Sequence, residues 1–151
     1  MELRETDYVP LDDFPLAWRW IGPRRDGLAP APGAVRPLTL SAAAAIAPEA
    51  ARRCAERRIA ELTVAIVAED DHIAEVQARL SAFGIADTTP VLVSWDARTA
   101  VATTWGIFVA HWPGFCYPSS DEVTIWDPHA SWTLCYRHFE VFEFSHVPRA
   151  A

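Results

Sequence analysis

A thiol beside an imidazole is the smallest unit of nucleophilic catalysis, and the C-terminal half of this chain holds its ingredients in Cys116, His138 and His146, with Asp121 as the carboxylate. No spacing in the sequence brings them together. Cys116 stands between Phe115 and Tyr117, without a Gly-rich nucleophile turn or a helix-start signal to lower its pKa. A cysteine so flanked reads as a small buried hydrophobe. Cys135, alternating with Leu134 and Tyr136, reads as core in the same way. A small hydrolase or metal-assisted enzyme centred on Cys116 and His138 is therefore the alternative rather than the leading reading.

Metal chemistry would draw on Cys135-x-x-His138 together with Cys116, Asp127, His129 or His146. A zinc site usually declares itself by two close ligand pairs, and here there is one loose pair. The five histidines, at 72, 111, 129, 138 and 146, are scattered over helix, loop and strand. The adjacent carboxylates Asp12-Asp13, Asp70-Asp71 and Asp121-Glu122 fall at element boundaries, where turn and capping roles account for them. No metal, cofactor or catalytic residue is assigned on these grounds.

Phe115-Cys116-Tyr117-Pro118-Ser119-Ser120-Asp121-Glu122 is the segment best suited to recognition, since it combines aromatic rings, a Pro-fixed turn and clustered hydrogen-bonding groups. Its structural alternative is a turn in which Ser119, Ser120 and Asp121 satisfy the local backbone. Trp126 and Trp132, at strand ends, extend the candidate surface. The candidate binding residues are thus Tyr117, Ser119, Ser120, Asp121, Trp126 and Trp132.

Charge narrows the partner. The chain has 151 residues and a net charge of −7; residues 1–60 carry nine Arg against eight acids, and 61–151 carry four Arg against twelve. Nucleic acid requires a basic stripe to neutralise its phosphates, so an acidic domain argues against it. An acidic face suits a basic protein surface, through faster encounter and exclusion of anionic competitors. Lys and Asn are both absent, which removes a phosphate-loop Lys, a Schiff-base Lys and an Asn-linked glycan. Three cysteines without a CxxC spacing argue against a disulfide framework and for a reducing cytoplasm. The apolar runs are too short for a membrane span, and the acidic start lacks the pattern of a secretory signal.

The elements that must hold these residues follow from periodicity. Leu16 to Ile21 alternates as a strand with Trp18 and Trp20 on one face. Gly22 to Pro37 reads as an ordered loop. Thr39 or Ser41 caps a short Ala-rich turn, and Pro48 opens a helix to about Leu62 whose apolar positions are Ala51, Ala55, Ile59 and Leu62. Leu62 to Ala68 is a β-rich run. Asp70 or Asp71 caps a helix through Ile73, Val76, Leu80 and Phe83, closed by Gly84. Pro90 to Trp95 forms a strand, and Asp96-Ala97-Arg98-Thr99 turns into a helix lined by Val101, Trp105, Phe108 and Trp112. Residues 91–151 hold twelve of the seventeen aromatics, and Glu122 to Trp126, Trp132 to Tyr136 and Val141 to His146 close the chain as a β-meander. The expectation is one α+β domain spanning 1–151, a mainly antiparallel sheet covered by about three helices.

The run Trp95-Asp96 … Thr104-Trp105-Gly106-Ile107-Phe108 … Phe115-Cys116-Tyr117-Pro118-Ser119-Ser120-Asp121, with Phe14-Pro15-Leu16-Ala17-Trp18, resembles a family of small uncharacterised bacterial proteins. The likeness covers the first 45 and last 60 residues and implies a bacterial, cytoplasmic domain without carrying over any chemistry. By class alone, the chain is similar to the acidic, Trp-rich immunity proteins of the Smi1 and Knr4 type, which neutralise toxins by binding. The leading expectation is a non-enzymatic binding or regulatory module, immunity-like in character, that engages a basic protein through an acidic aromatic surface. The third reading is a structural domain of a homo-oligomer.

Overall fold

Short β-rich runs separated by turn residues become, in a computed structural model that describes residues 2–20, 30–31, 33–56, 63–67 and 72–146, seven strands interleaved with four helices. In chain order these are β1 (Arg36–Pro37), α1 (Leu40–Glu56), β2 (Thr63–Val67), α2 (Ile73–Ser81), β3 (Pro90–Ser94), β4 (Ala100–Thr104), α3 (Trp105–Ala110), α4 (Trp112–Phe115), β5 (Val123–Trp126), β6 (Trp132–Arg137) and β7 (Val141–His146). The strands join one antiparallel sheet in the order β1-β4-β3-β5-β6-β7-β2. The α+β class and the C-terminal meander β5-β6-β7 are as the sequence predicts. No helix of the described residues is long and apolar enough to cross a membrane.

Alternation along the strands divides the core between two faces. Val91, Val93, Val101, Ile125, Leu134, Phe142 and Phe144 point to one side, where Val76 and Leu80 of α2 and Trp105, Phe108, Trp112 and Phe115 cover them. Leu92, Ala100 and Trp126 point to the other, against Leu38, Ala42, Ala43, Ile46 and Ala50. Small residues on the inner face of α1 let it lie close to the sheet. Gly84 takes a left-handed φ of 76° just after α2, the conformation that ends a helix at little steric cost.

Three elements differ from their sequence prediction. Leu16 to Trp20 is no strand: Ala17–Arg19 is a 3-10 turn, closed by the Trp20 N–H on the Ala17 carbonyl at 3.0 Å, which leaves Trp18 exposed and Trp20 buried. Helix α1 starts at Leu40, with the Ala42 N–H donating to Thr39 Oγ1, and runs through Pro48. Pro48 and Ala44 both lie on its solvent side, where water can take the carbonyl bond that the ring forfeits. The buried face is therefore Ala42, Ala43, Ile46, Ala50 and Arg53, while Ala51 and Ala55 are exposed. Residues 57–62, Asp70, Asp71 and most of the 22–37 loop lie outside the described residues. Finally, Asp96–Thr99 turns the chain as expected, but into strand β4, which pairs with β3 from Pro90↔Thr104 to Ser94↔Ala100. Val101 falls in phase with Trp105, Phe108 and Trp112, which is the pattern of a helix, but β-branched Val101, Thr103 and Thr104 follow the hairpin instead.

The cysteine reading is also corrected. Cys54, in the last turn of α1, is disulfide-bonded to Cys135 of β6, 81 residues away. Cys135 is buried on the α1 face, so a thiol there meets the inner side of the helix. Closing so long a loop restricts the unfolded chain and stabilises by about 2–4 kcal/mol. The argument for a reducing compartment loses its premise.

Candidate functional site

The segment chosen from sequence is organised by a residue that the sequence did not single out. Arg19, 5% exposed, reaches from the 3-10 turn to Asp121 in a two-pronged ion pair, with Nη1 to Oδ2 at 2.6 Å and Nη2 to Oδ1 at 3.1 Å. Bidentate charge-assisted bonds of this kind fix orientation as well as energy. The guanidinium carbon also lies 4.1 Å from the Tyr117 ring centroid and 5.8 Å from that of Trp95. Asp121 accepts further bonds from the Tyr117 N–H at 2.9 Å and the Ser120 hydroxyl at 3.3 Å. Its carboxylate is thus fully occupied in holding the loop.

The six candidate residues part company. Tyr117 is half-buried and meets exposed Trp18 edge to face, their centroids 5.3 Å apart. Ser119 and Ser120 are exposed; Ser119 adopts a φ of 68° and donates its N–H to the His138 carbonyl, tying the loop to the β6–β7 turn. Trp126 and Trp132 are not surface groups. Trp126 is buried beneath α1, and Trp132 is buried on the opposite face against Trp105 and Phe144. Full burial of a large aromatic side chain is worth about 1.5–3 kcal/mol, so a strand-end Trp in a short meander serves the core.

Cys116 is completely buried, and its thiol is pushed well above the ordinary range, first by burial and then by the Asp121 carboxylate, against the smaller opposing pull of Arg19. It is held as a thiol, whereas nucleophilic attack needs a thiolate. His138 is exposed, with Nδ1 2.9 Å from Glu122 Oε1. His146 Nδ1 lies 3.2 Å from the Ser131 hydroxyl, and Asp127 accepts the His129 N–H in a turn. Among the described residues no three His, Cys, Asp or Glu side chains gather to hold a metal ion, and the sulfur of Cys135 is spent in the disulfide.

Beside this loop two depressions share a rim. One, of about 300 Å³, lies between the C-terminal half of α1 and the sheet, with Ser94, Thr124 and the Cys54–Cys135 disulfide in its lining. The other, of about 190 Å³, lies over Arg19, Leu16 and Ser120. Trp95, Asp96 and Glu122 belong to both. Burial opposes the charge on Asp96, but the N–H groups of Arg98 and Thr99 and the Thr99 hydroxyl outweigh it and hold the pKa below the ordinary value. The carboxylate is therefore ionised throughout the neutral range. Glu122 lies between His138 and Arg137, whose Nη1 is 3.6 Å away, while Arg137 Nε is held by Glu143 at 2.7 Å. Asp96 and Glu122 were legible as acids near turns; that they share one groove depends on the β3–β5 pairing.

No protein-family model, curated protein or solved structure matches this chain.

Proposed function

We propose that the protein is a non-enzymatic binding module and that a basic group of a protein partner docks in the double groove. Asp96 and Glu122 would face the cationic head, and the exposed Trp18 with Tyr117 would take the apolar stem that precedes it. The observation that carries this reading is the meeting of the two depressions at Trp95, Asp96 and Glu122, with exposed Trp18 and half-buried Tyr117 both set against Arg19 of the smaller one. The net charge of −7 supports the sign of the partner and argues against nucleic acid. A protein that acts by occupying a basic surface, as immunity proteins act on toxins, needs no reacting group of its own, and sealed Cys116 agrees with that.

The test is a titration of the whole protein with a tetra-arginine peptide, followed by tryptophan fluorescence at low and high salt. Binding is expected to weaken as salt rises, because exposed charges are screened within about 10 Å at 0.1 M. Glu122→Gln should weaken it about 3- to 10-fold, a loss of roughly 1 kcal/mol typical of a partly exposed charge. Equal binding of tetra-glutamate, or indifference to salt, would refute the assignment.

A further inference from the structure

On the far side of Arg19 lies a third cavity, of about 230 Å³, whose lining includes Arg19, Trp20, Ile73, Gln77, His111 and Gly114. Its polar groups are unusual. Trp20, like Arg19, is 5% exposed, and among the described residues neither the Trp20 Nε1–H nor the Arg19 Nε–H has a hydrogen-bond partner. Two donors stripped of water and left unpaired cost free energy unless something accepts from them. Asp121 cannot, because it grips the two terminal nitrogens of the guanidinium and leaves Nε directed elsewhere. Gln77, whose amide N–H donates to the Ala110 carbonyl at 3.0 Å, does not accept from either donor.

Gly114 carries a second, independent sign. Left-handed φ values among the described glycines occur at Gly33 and Gly84, so the backbone does not require glycine at 114. A Cβ there would stand 3.0 Å from Trp20 Nε1. The missing side chain leaves room beside that indole N–H, which is itself closed to bulk water.

We propose that this cavity binds the carboxylate of a small aliphatic acid, its oxygens accepting from Trp20 Nε1–H and Arg19 Nε–H and its tail resting on Ile73. The donor set selects the ligand: two N–H groups, one on a guanidinium, favour a charged acceptor over a neutral amide, which would bring an N–H of its own into the cavity. Among the described residues that line it a cation finds no carboxylate, and Asp121 beyond Arg19 is already paired. The volume restricts the ligand to a few carbons. Among the described residues this site shares Arg19 alone with the 190 Å³ depression, and it does not rest on the docking of a basic partner.

The experiment follows the seven indole N–H resonances of the ¹⁵N-labelled full-length protein, the Trp20 signal being identified by its loss in Trp20→Phe. Butyrate is expected to shift that signal saturably, with a Kd on the order of 1 mM for a ligand of so few atoms. Butylammonium and sodium chloride at matched ionic strength should leave it in place, and butyramide should bind at least about tenfold more weakly. Gly114→Ala should abolish the saturable shift while the other indole signals keep their positions. The proposal fails if butyrate leaves the Trp20 resonance unmoved, if all four solutes move it alike as in a water-filled cavity, if butyramide binds as well as butyrate, or if Gly114→Ala binds normally. The contrast between butyrate and butylammonium is read on the unmodified protein, so it stands even if the variant does not fold.

Discussion

Among the described residues two arginines are buried, and they are satisfied in different ways. Arg53, 1% exposed, leaves α1 for the sheet and finds the carbonyls of Trp132 and Ala130 at 3.0 Å, the Thr133 hydroxyl at 3.3 Å and Glu49 at 2.9 Å. Nε and both terminal nitrogens are used. Arg19 has a stronger single partner in Asp121 and the rings of Trp18, Trp95 and Tyr117 about it, yet among the described residues its Nε–H has no acceptor, and Arg19 lines a cavity. A buried cation whose donors are exhausted by its own fold has nothing to offer a ligand. One with a donor in reserve does, and the difference separates a structural cation from a candidate site more clearly than burial does.

Substitutions can break this contrast. The largest effect is expected for Asp121→Asn, which leaves the Arg19 charge buried without its counterion and should cost about 3–5 kcal/mol in urea denaturation. A loss below about 1 kcal/mol would mean that Arg19 rearranges to solvent, and the contrast with Arg53 would collapse. Arg53→Met is expected to cost about 2–3 kcal/mol, since it strands the Ala130 and Trp132 carbonyls while keeping most of the packed volume; the same denaturation curves measure it. Unlike Asp121→Asn, it should leave the Trp20 indole resonance unmoved.

The smallest effect carries a pH signature. Glu49 is held down to about 2, first by the Arg52 hydrogen bond, with burial opposing and Arg53 assisting. Because the folded value lies below the ordinary one, the stabilisation is present at neutral pH and is lost as pH falls from about 5 through 2. Glu49 is partly exposed, so Glu49→Gln should cost only about 1 kcal/mol at neutral pH after solvent screening. Thermal melts of the two proteins should converge in acid. A gap that persists at pH 2 would show that Glu49 acts by packing rather than by charge.

Where the chain repeats a local rule, its sequence was a sound guide. The meander strands appear almost where alternation placed them, and Phe142 and Phe144 do face away from Glu143 and Ser145, because a period of two is built into any extended backbone. Helix α2 and its Gly84 ending follow from apolar spacing and a left-handed residue. The errors arise where local signals compete. Val101 satisfies a helical stripe and a strand equally well, and pairing with β3 decided between them. Leu16 to Trp20 alternates like a strand, but nothing in the described sheet pairs with it.

The candidate site was legible only in part. The types of Tyr117, Ser119, Ser120 and Asp121 mark that loop, while the strand-end positions of Trp126 and Trp132 say nothing about what covers them. Residues 19 and 121, and 54 and 135, are too far apart in sequence for periodicity, capping or turn chemistry to relate them. By itself the sequence determined the class of fold, the sign of the charge and which strands carry the aromatic core, since these depend on composition and on neighbours a few residues away. Only the tertiary structure decided which arginine meets which carboxylate, which cysteines join and which donors are left without a partner, because each depends on groups brought together by the sheet order rather than by the chain.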